Sequence, residues 1–172
     1  MNKPFVAILM GSDSDLPVLE TTFNTLRQLG INFEAHILSA HRTPDLTSSY
    51  VLEAEARGCQ VFIAAAGLAA HLAGAVAANS IRPVIGIPME AGGLNGLDAL
   101  LSTVQMPGGT PVACTSIGKA GALNAALLAA QILALQDNEI ANKIRKMREQ
   151  KRNALTAADA KLQESLNKNC IA

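Results

Sequence analysis

The sequence predicts an α/β protein, a three-layer α/β/α sandwich around one parallel sheet. Three observations carry that prediction. Apolar runs at 5–10, 61–66 and 83–88 are too short for helices and lack polar alternation, as expected of strands buried on both faces. Polar turns and helix-periodic segments follow these runs at short spacing, the repeat of parallel-strand crossovers. Hydrophobic residues make up 49% of the chain but aromatics only 3%, with no Trp and 13 Gly, so the core is built from Ala, Val, Ile and Leu at close range. That composition suits helices lying tightly on a sheet.

The first strand, 5–10, ends at Gly11 and a turn of Ser12, Asp13, Ser14 and Asp15. Leu19, Phe23 and Leu26 then recur at helical spacing until Gly30 stops the helix. Residues 32–38 alternate, with Phe33, Ala35 and Ile37 apolar against Asn32, Glu34 and His36. This is the pattern of a half-exposed edge strand, with His36 on its polar side. A helix over 44–57 has Pro44 in its first turn and Gly58 after its end. After the strand 61–66, an Ala-rich helix covers 70–79, and Gly74 inside it permits close backbone approach. The fourth strand is 83–88; Gly92, Gly93 and Gly96 mark a mobile or tightly bent loop, before a short helix at 97–103 and a fifth strand at 111–116. Residues 120–135 are apolar nearly all round, interrupted by Asn124 and Gln131. About 16 residues fall short of the roughly 20 that span a bilayer, so burial in protein is expected, part of it between subunits.

At 172 residues the chain suits one domain with a substantial core. We expect a catalytic α/β domain over 1–136, with a sheet of flavodoxin-like size. Residues 137–172 form a charged helical tail expected to pack on a neighbouring subunit. Its basic cluster (Lys143, Arg145, Lys146, Arg148, Lys151, Arg152) has no aromatic stacking residues, which argues against nucleic-acid binding.

The formal charge is zero but unevenly divided: up to Gln136 there are six Lys and Arg against nine Asp and Glu, and beyond it eight against five. No global field draws a phosphorylated ligand to the front part, so an anion site there rests on local donors such as Arg42 and helix N-termini. Cys59, Cys114 and Cys170 are widely spaced and odd in number, with no CxxC pair, which argues against a disulfide framework or a zinc knuckle and fits reduced cytosolic thiols. The start of the chain runs straight into a strand with no secretory apolar region, so a cytoplasmic protein without membrane attachment is expected. No GxGxxG follows a strand, Gly118-Lys119 lacks the rest of a P-loop, and there is no HExxH or Cys/His cluster. Nucleotide hydrolysis, hydride transfer and a catalytic metal lose their usual support.

Three polar turns remain, each after a strand: 11–15, 39–44 and 67–71. In parallel sheets ligands bind beyond the carboxyl ends of the strands, so these turns face one pocket. One residue between Ser12 and Asp15 suffices to cap the following helix; the surplus fits ligand contact, with a carboxylate such as Asp15 on ribose hydroxyls and a serine with backbone N–H groups on a phosphate. The two readings stand even. Arg42 is either half of a weak surface pair with Asp45 or, at a helix N-terminus between hydroxyl residues, a bidentate phosphate fork. His41 beside it is suited to moving a proton near neutral pH. His71, just inside the helix from 70, reads as a partly buried histidine supporting the pocket.

Gly-Ser-x-Ser-Asp at 11–15, Ser-Ala-His-Arg-Thr-Pro at 39–44, Ala-Ala-His-Leu at 69–72 and Gly-Leu-Asp-Ala-Leu-Leu-Ser-x-Val-Gln-Met-Pro at 96–107 resemble the N5-carboxyaminoimidazole ribonucleotide mutases of purine biosynthesis, over about 5–135. The resemblance implies conversion of N5-carboxyaminoimidazole ribonucleotide to 4-carboxy-5-aminoimidazole ribonucleotide. It implies no metal or organic cofactor, and a homo-octamer with sites at subunit junctions. Carried onto this chain, it makes His41 the general acid and base, with Ser12, Asp15 and Arg42 on the ribonucleotide and Ser39 assisting at the phosphate. Ser14, Ala40, Gly67, Ala70, His71 and Leu72 would support the pocket. Leu68, Ala73, Ala91 and Cys114 depart from the family pattern, which commonly has Gly, Pro, Ser and Thr there. The related aminoimidazole ribonucleotide carboxylase, which takes free carbon dioxide, is the nearest alternative, and Ala-Ala-His-Leu resembles the mutase branch. A non-catalytic flavodoxin-like nucleotide-binding module is the alternative of another class and needs no His41.

Overall fold

A computed structural model describes residues 4–169, so Cys170 lies outside the described residues. Five parallel strands form one sheet: β1 (Phe5–Met10), β2 (Phe33–Ile37), β3 (Cys59–Ala66), β4 (Val84–Pro88) and β5 (Ala113–Cys114). Their order is β2-β1-β3-β4-β5. Among the described residues six α-helices accompany them: α1 (Leu16–Leu29), α2 (Pro44–Ala56), α3 (Leu72–Asn79), α4 (Leu97–Val104), α5 (Gly118–Leu133) and α6 (Asn138–Asn169). This is the expected three-layer sandwich with flavodoxin-like strand order and a C-terminal helix.

Strand alternation assigns each side chain to a layer. Val6, Ile8, Met10, Ile63 and Ile85 point to the layer holding α1 and α5; Ala7, Leu9, Phe62 and Ala64 point to the layer holding α2 and α3. The low aromatic content has its structural expression in α5, where Ala122, Ala125, Ala126, Ala129 and Ala130 are fully buried against the sheet. A Cβ on Gly121 would run into the Ser116 carbonyl, so the start of α5 is held closer to the chain than any side chain permits. On the other side, a Cβ on Gly86 in β4 would collide with Thr103 of α4, with Val112 and Ala73 also close.

The structure departs from the periodicity at several points. Only Ala113–Cys114 of the expected strand 111–116 pairs with β4: Pro111 has no N–H to give a ladder, and the ladder closes with the Thr115 N–H on the Gly86 carbonyl at 3.0 Å, where the Thr115 hydroxyl also donates at 3.2 Å. On edge strand β2, Phe33 stacks on Phe23 at 5.3 Å, while Glu34 accepts both guanidinium forks of Arg57 (2.6 and 2.7 Å) and His36 lies 4.3 Å from the Tyr50 ring. Arg57 holds the Glu34 carboxyl below its ordinary value. Ile37, on the apolar side of the alternation, is nevertheless 56% exposed, and Ala35 on the same side is exposed as well. The helix expected from 70 begins at Leu72, after a turn in which the His71 N–H donates to the Ala69 carbonyl at 2.9 Å.

The first turns of α6 pack on the chain's own core through Ile140, buried Ile144 and Met147. From 148 to 167 every residue of α6 is exposed. Among the described residues no helix is long and apolar enough to cross a membrane.

Candidate active site

The strand order places the site. The chain runs outward from β1 to β2 on one side and to β3 on the other, so loops leaving β1, β2 and β3 splay apart and leave a crevice at the carboxyl ends. A cavity of about 540 Å³ fills that crevice. All three polar turns line it, joined by Ala91 from the loop after β4.

In the β1 turn, the Ser12 hydroxyl accepts from the Ser14 N–H at 3.3 Å and donates to Asp13 at 3.0 Å. Ser12 therefore caps the short 3₁₀ turn Asp13–Asp15, whereas Asp15, at the N-cap position of α1, makes no side-chain capping bond and is buried to 8% exposure. Burial pushes the Asp15 carboxyl above its ordinary value, opposed by the Ser12 backbone and the Ser14 hydroxyl. A buried acid left over from capping, on the wall of a cavity, is suited to accepting ligand hydroxyls.

In the β2 turn, the Ser39 hydroxyl accepts from the Arg42 N–H at 3.2 Å, and the Ser39 N–H donates to the Thr43 hydroxyl at 2.9 Å. These bonds hold residues 39–43 as a tight loop into α2 and fix where His41 and Arg42 project. The Arg42 guanidinium makes no ion pair with Asp45 among the described residues; it donates to the Gly11 carbonyl at 2.6 Å. One nitrogen thus ties the β2 turn to the β1 turn, and the exposed remainder of the fork is free to meet an anion.

The rings of His41 and His71 meet across the pocket, with His41 Nε2 2.8 Å from His71 Nδ1. One nitrogen must donate and the other accept, so the two rings hold a proton between separate loops. The expected partly buried, helical position for His71 is not what the structure has: it is exposed and precedes α3. Of the residues singled out from the sequence, Ser12, Ser14, Asp15, Ser39, Ala40, His41, Arg42, Gly67, His71 and Leu72 all line the cavity. Ala70 does not; it is 2% exposed, facing inward behind the turn.

Gly11, Ala66, Leu68, Ala69 and Ala91 complete the lining; none was singled out as an individual site residue, but all except Gly11 fall in the Ala/Gly-rich segments 64–74 and 91–96, which the sequence offers as apolar walls of the pocket. Ala91 was within reach, since it follows β4 just as the other turns follow their strands. Methyl groups and backbone carry no chemical signal of their own. Among the described residues no three His, Cys, Asp or Glu side chains converge as a metal-ligand set.

The chain that carries this cavity resembles known proteins along most of its length. The family model described as AIR carboxylase matches residues 5–154. A Bacillus subtilis protein named N5-carboxyaminoimidazole ribonucleotide mutase is 51% identical over 158 residues, covering 91% of this chain and 98% of that protein. A protein of the same name from Saccharolobus solfataricus is 52% identical over 150 residues, covering 87% of this chain and 94% of that one. Among solved structures, that of Treponema denticola PurE superposes with a TM-score of 0.84 at 34% identity, covering 93% of this chain and 99% of the other. With near-complete coverage in both directions and the motif residues gathered in one crevice, the chain belongs to the AIR carboxylase family.

Proposed function

We propose that this protein is a mutase that moves the carboxyl group of N5-carboxyaminoimidazole ribonucleotide from the exocyclic nitrogen to C4 of the imidazole. The observation that carries the reading is the His41–His71 pair at 2.8 Å in the same cavity as Arg42 and Asp15. Arg42 holds the phosphate, with Ser12 and Ser39 beside it, and Asp15 accepts the ribose hydroxyls. His41 as imidazolium gives its proton to the carbamate nitrogen, the N–C bond breaks, and carbon dioxide and the free amine result. C4 then attacks carbon dioxide, and neutral His41 takes the C4 proton, which returns the imidazolium. One proton is lent and recovered, so no metal, organic cofactor or oxidant enters the balance.

The protein acts as a homo-octamer in the cytoplasm, with the exposed part of α6 from 148 onward, rather than the whole tail from 137, packed on a neighbouring subunit. Leu97, Leu101 and Val104 support an assembly: they recur at helical spacing on α4 and are about half exposed in the single chain. Free thiols at Cys59 and Cys114 support a reducing compartment.

Assay of the two candidate substrates separately tests the reading. Turnover of the carbamate, and none of the uncarboxylated ribonucleotide with bicarbonate, is expected; the reverse pattern assigns the carboxylase reaction instead. His41→Asn is expected to bind the ribonucleotide and to turn it over about 10²- to 10⁴-fold more slowly. Undiminished function in that variant would mean a binding module.

A further inference from the structure

We infer that Leu68 is a positioning residue that closes the mouth of the pocket over released carbon dioxide; this rests on the mutase reading above. Leu68 has φ of 54°, in the left-handed region that a non-glycine residue holds only when its surroundings fix it. What fixes it is the loop after β4. The Leu68 side chain lies 2.8 Å from where a Cβ on Gly92 would stand, so it packs into space that only glycine leaves open. One residue earlier, a Cβ on Gly67 would lie 3.0 Å from the Ala91 Cβ. The loops after β3 and β4 are thus joined at two successive pairs, Gly67 with Ala91 and Leu68 with Gly92.

Carbon dioxide carries no charge, and no cation or acid in the pocket holds it. Its residence time is set by walls and closure, and capture by C4 competes with escape. Of the apolar residues lining the cavity, only Leu68 and Leu72 are larger than a methyl group. Leu72 is 2% exposed and belongs to the floor, whereas Leu68 is 53% exposed and belongs to the mouth. The one large apolar side chain of the lining that is exposed therefore packs against Gly92 of the loop after β4. His71, three residues on, rides on the same loop.

The test follows the carboxyl carbon. Carboxyl-¹³C-labelled N5-carboxyaminoimidazole ribonucleotide is converted by the wild type, Leu68→Ala, Leu68→Gly and Leu68→Met, with excess unlabelled bicarbonate and subtraction of the enzyme-free rate. Label lost per product formed is expected to rise about 5-fold in the Ala and Gly variants, the effect of removing a half-buried leucine from the closed state, and to stay near wild type in Met. Leu68→Gly relaxes the backbone and keeps the comparison possible where Leu68→Ala folds poorly. Label retention equal to wild type in both truncations overturns the inference. A rise in Leu68→Gly alone assigns the effect to the backbone and overturns it too. Failure of the wild type to form carboxylated product overturns the functional reading itself, and this one with it.

Discussion

Replacing His71 by alanine separates the two histidines of the pocket. The substitution removes the partner 2.8 Å from His41 Nε2 and leaves the acid–base group in place. Both rings are exposed, so the hydrogen bond is worth the ordinary net amount, about 0.5–1.5 kcal/mol. If all of that orients His41 in the transition state, turnover falls by about 2- to 13-fold. His41→Asn, which removes the proton carrier, sits about 10²- to 10⁴-fold down. The gap between the two ranges is the measurable consequence. Steady-state kinetics on both variants reads it, with thermal midpoints as a control, since loss of this one exposed hydrogen bond lowers stability by no more than about 0.5–1.5 kcal/mol and leaves the fold in place. His71→Asn keeps an amide able to donate and accept, and is expected to recover part of the loss. A deficit of a hundred-fold or more in His71→Ala, with the fold intact, would refute the assignment of proton transfer to His41 alone.

Two further outcomes concern the frame around the site. Gly86→Ala forces a methyl into Thr103, Val112 and Ala73 at once, so equilibrium unfolding is expected to show a loss of about 1–3 kcal/mol at unchanged denaturant slope; a neutral result would mean that α4 can move away from β4 freely. Asp15→Asn is expected to weaken ribonucleotide binding and yet to raise the thermal midpoint at neutral pH. Burial raises the folded-state pKa of Asp15, so the folded chain holds that proton more tightly than the unfolded chain does, and wild-type stability is lost as pH rises from the ordinary value of 3.8 through the raised one. The advantage of the Asn variant accordingly fades as pH falls below the ordinary carboxylate range. A midpoint difference independent of pH would remove burial of the charge as its cause.

Much of the fold was legible because its signals are local. The continuous apolar runs of β1, β3 and β4 admit one environment, a strand covered on both faces, and Gly30 and Gly58 stop their helices through backbone geometry alone. Where burial depends on what lies opposite, periodicity was not enough. Ile37 has the alternation of an inward residue and faces outward, because the reach of the neighbouring layers is not written in β2 itself. The expected strand at 111–116 shrinks to two residues for the same reason, its ladder being decided by how Thr115 meets Gly86.

For the site, the sequence by itself determined which chemical groups are available and that they follow strand ends: His41 and Arg42 adjacent in one turn, Ser12 and Asp15 in another, His71 in a third. Residue type and chain order suffice for that, since a parallel sheet directs every such turn to one edge. Only the tertiary structure decided how the groups divide the work. It made Ser12 the cap of the short 3₁₀ turn and left Asp15 the buried acid, gave one Arg42 nitrogen to the Gly11 carbonyl, and brought His71 out of its helix to within 2.8 Å of His41. It also revealed Leu68 held against Gly92 at the mouth. These are contacts between loops far apart in the chain, fixed by the angle at which strands deliver them. No periodicity or motif spacing encodes that angle.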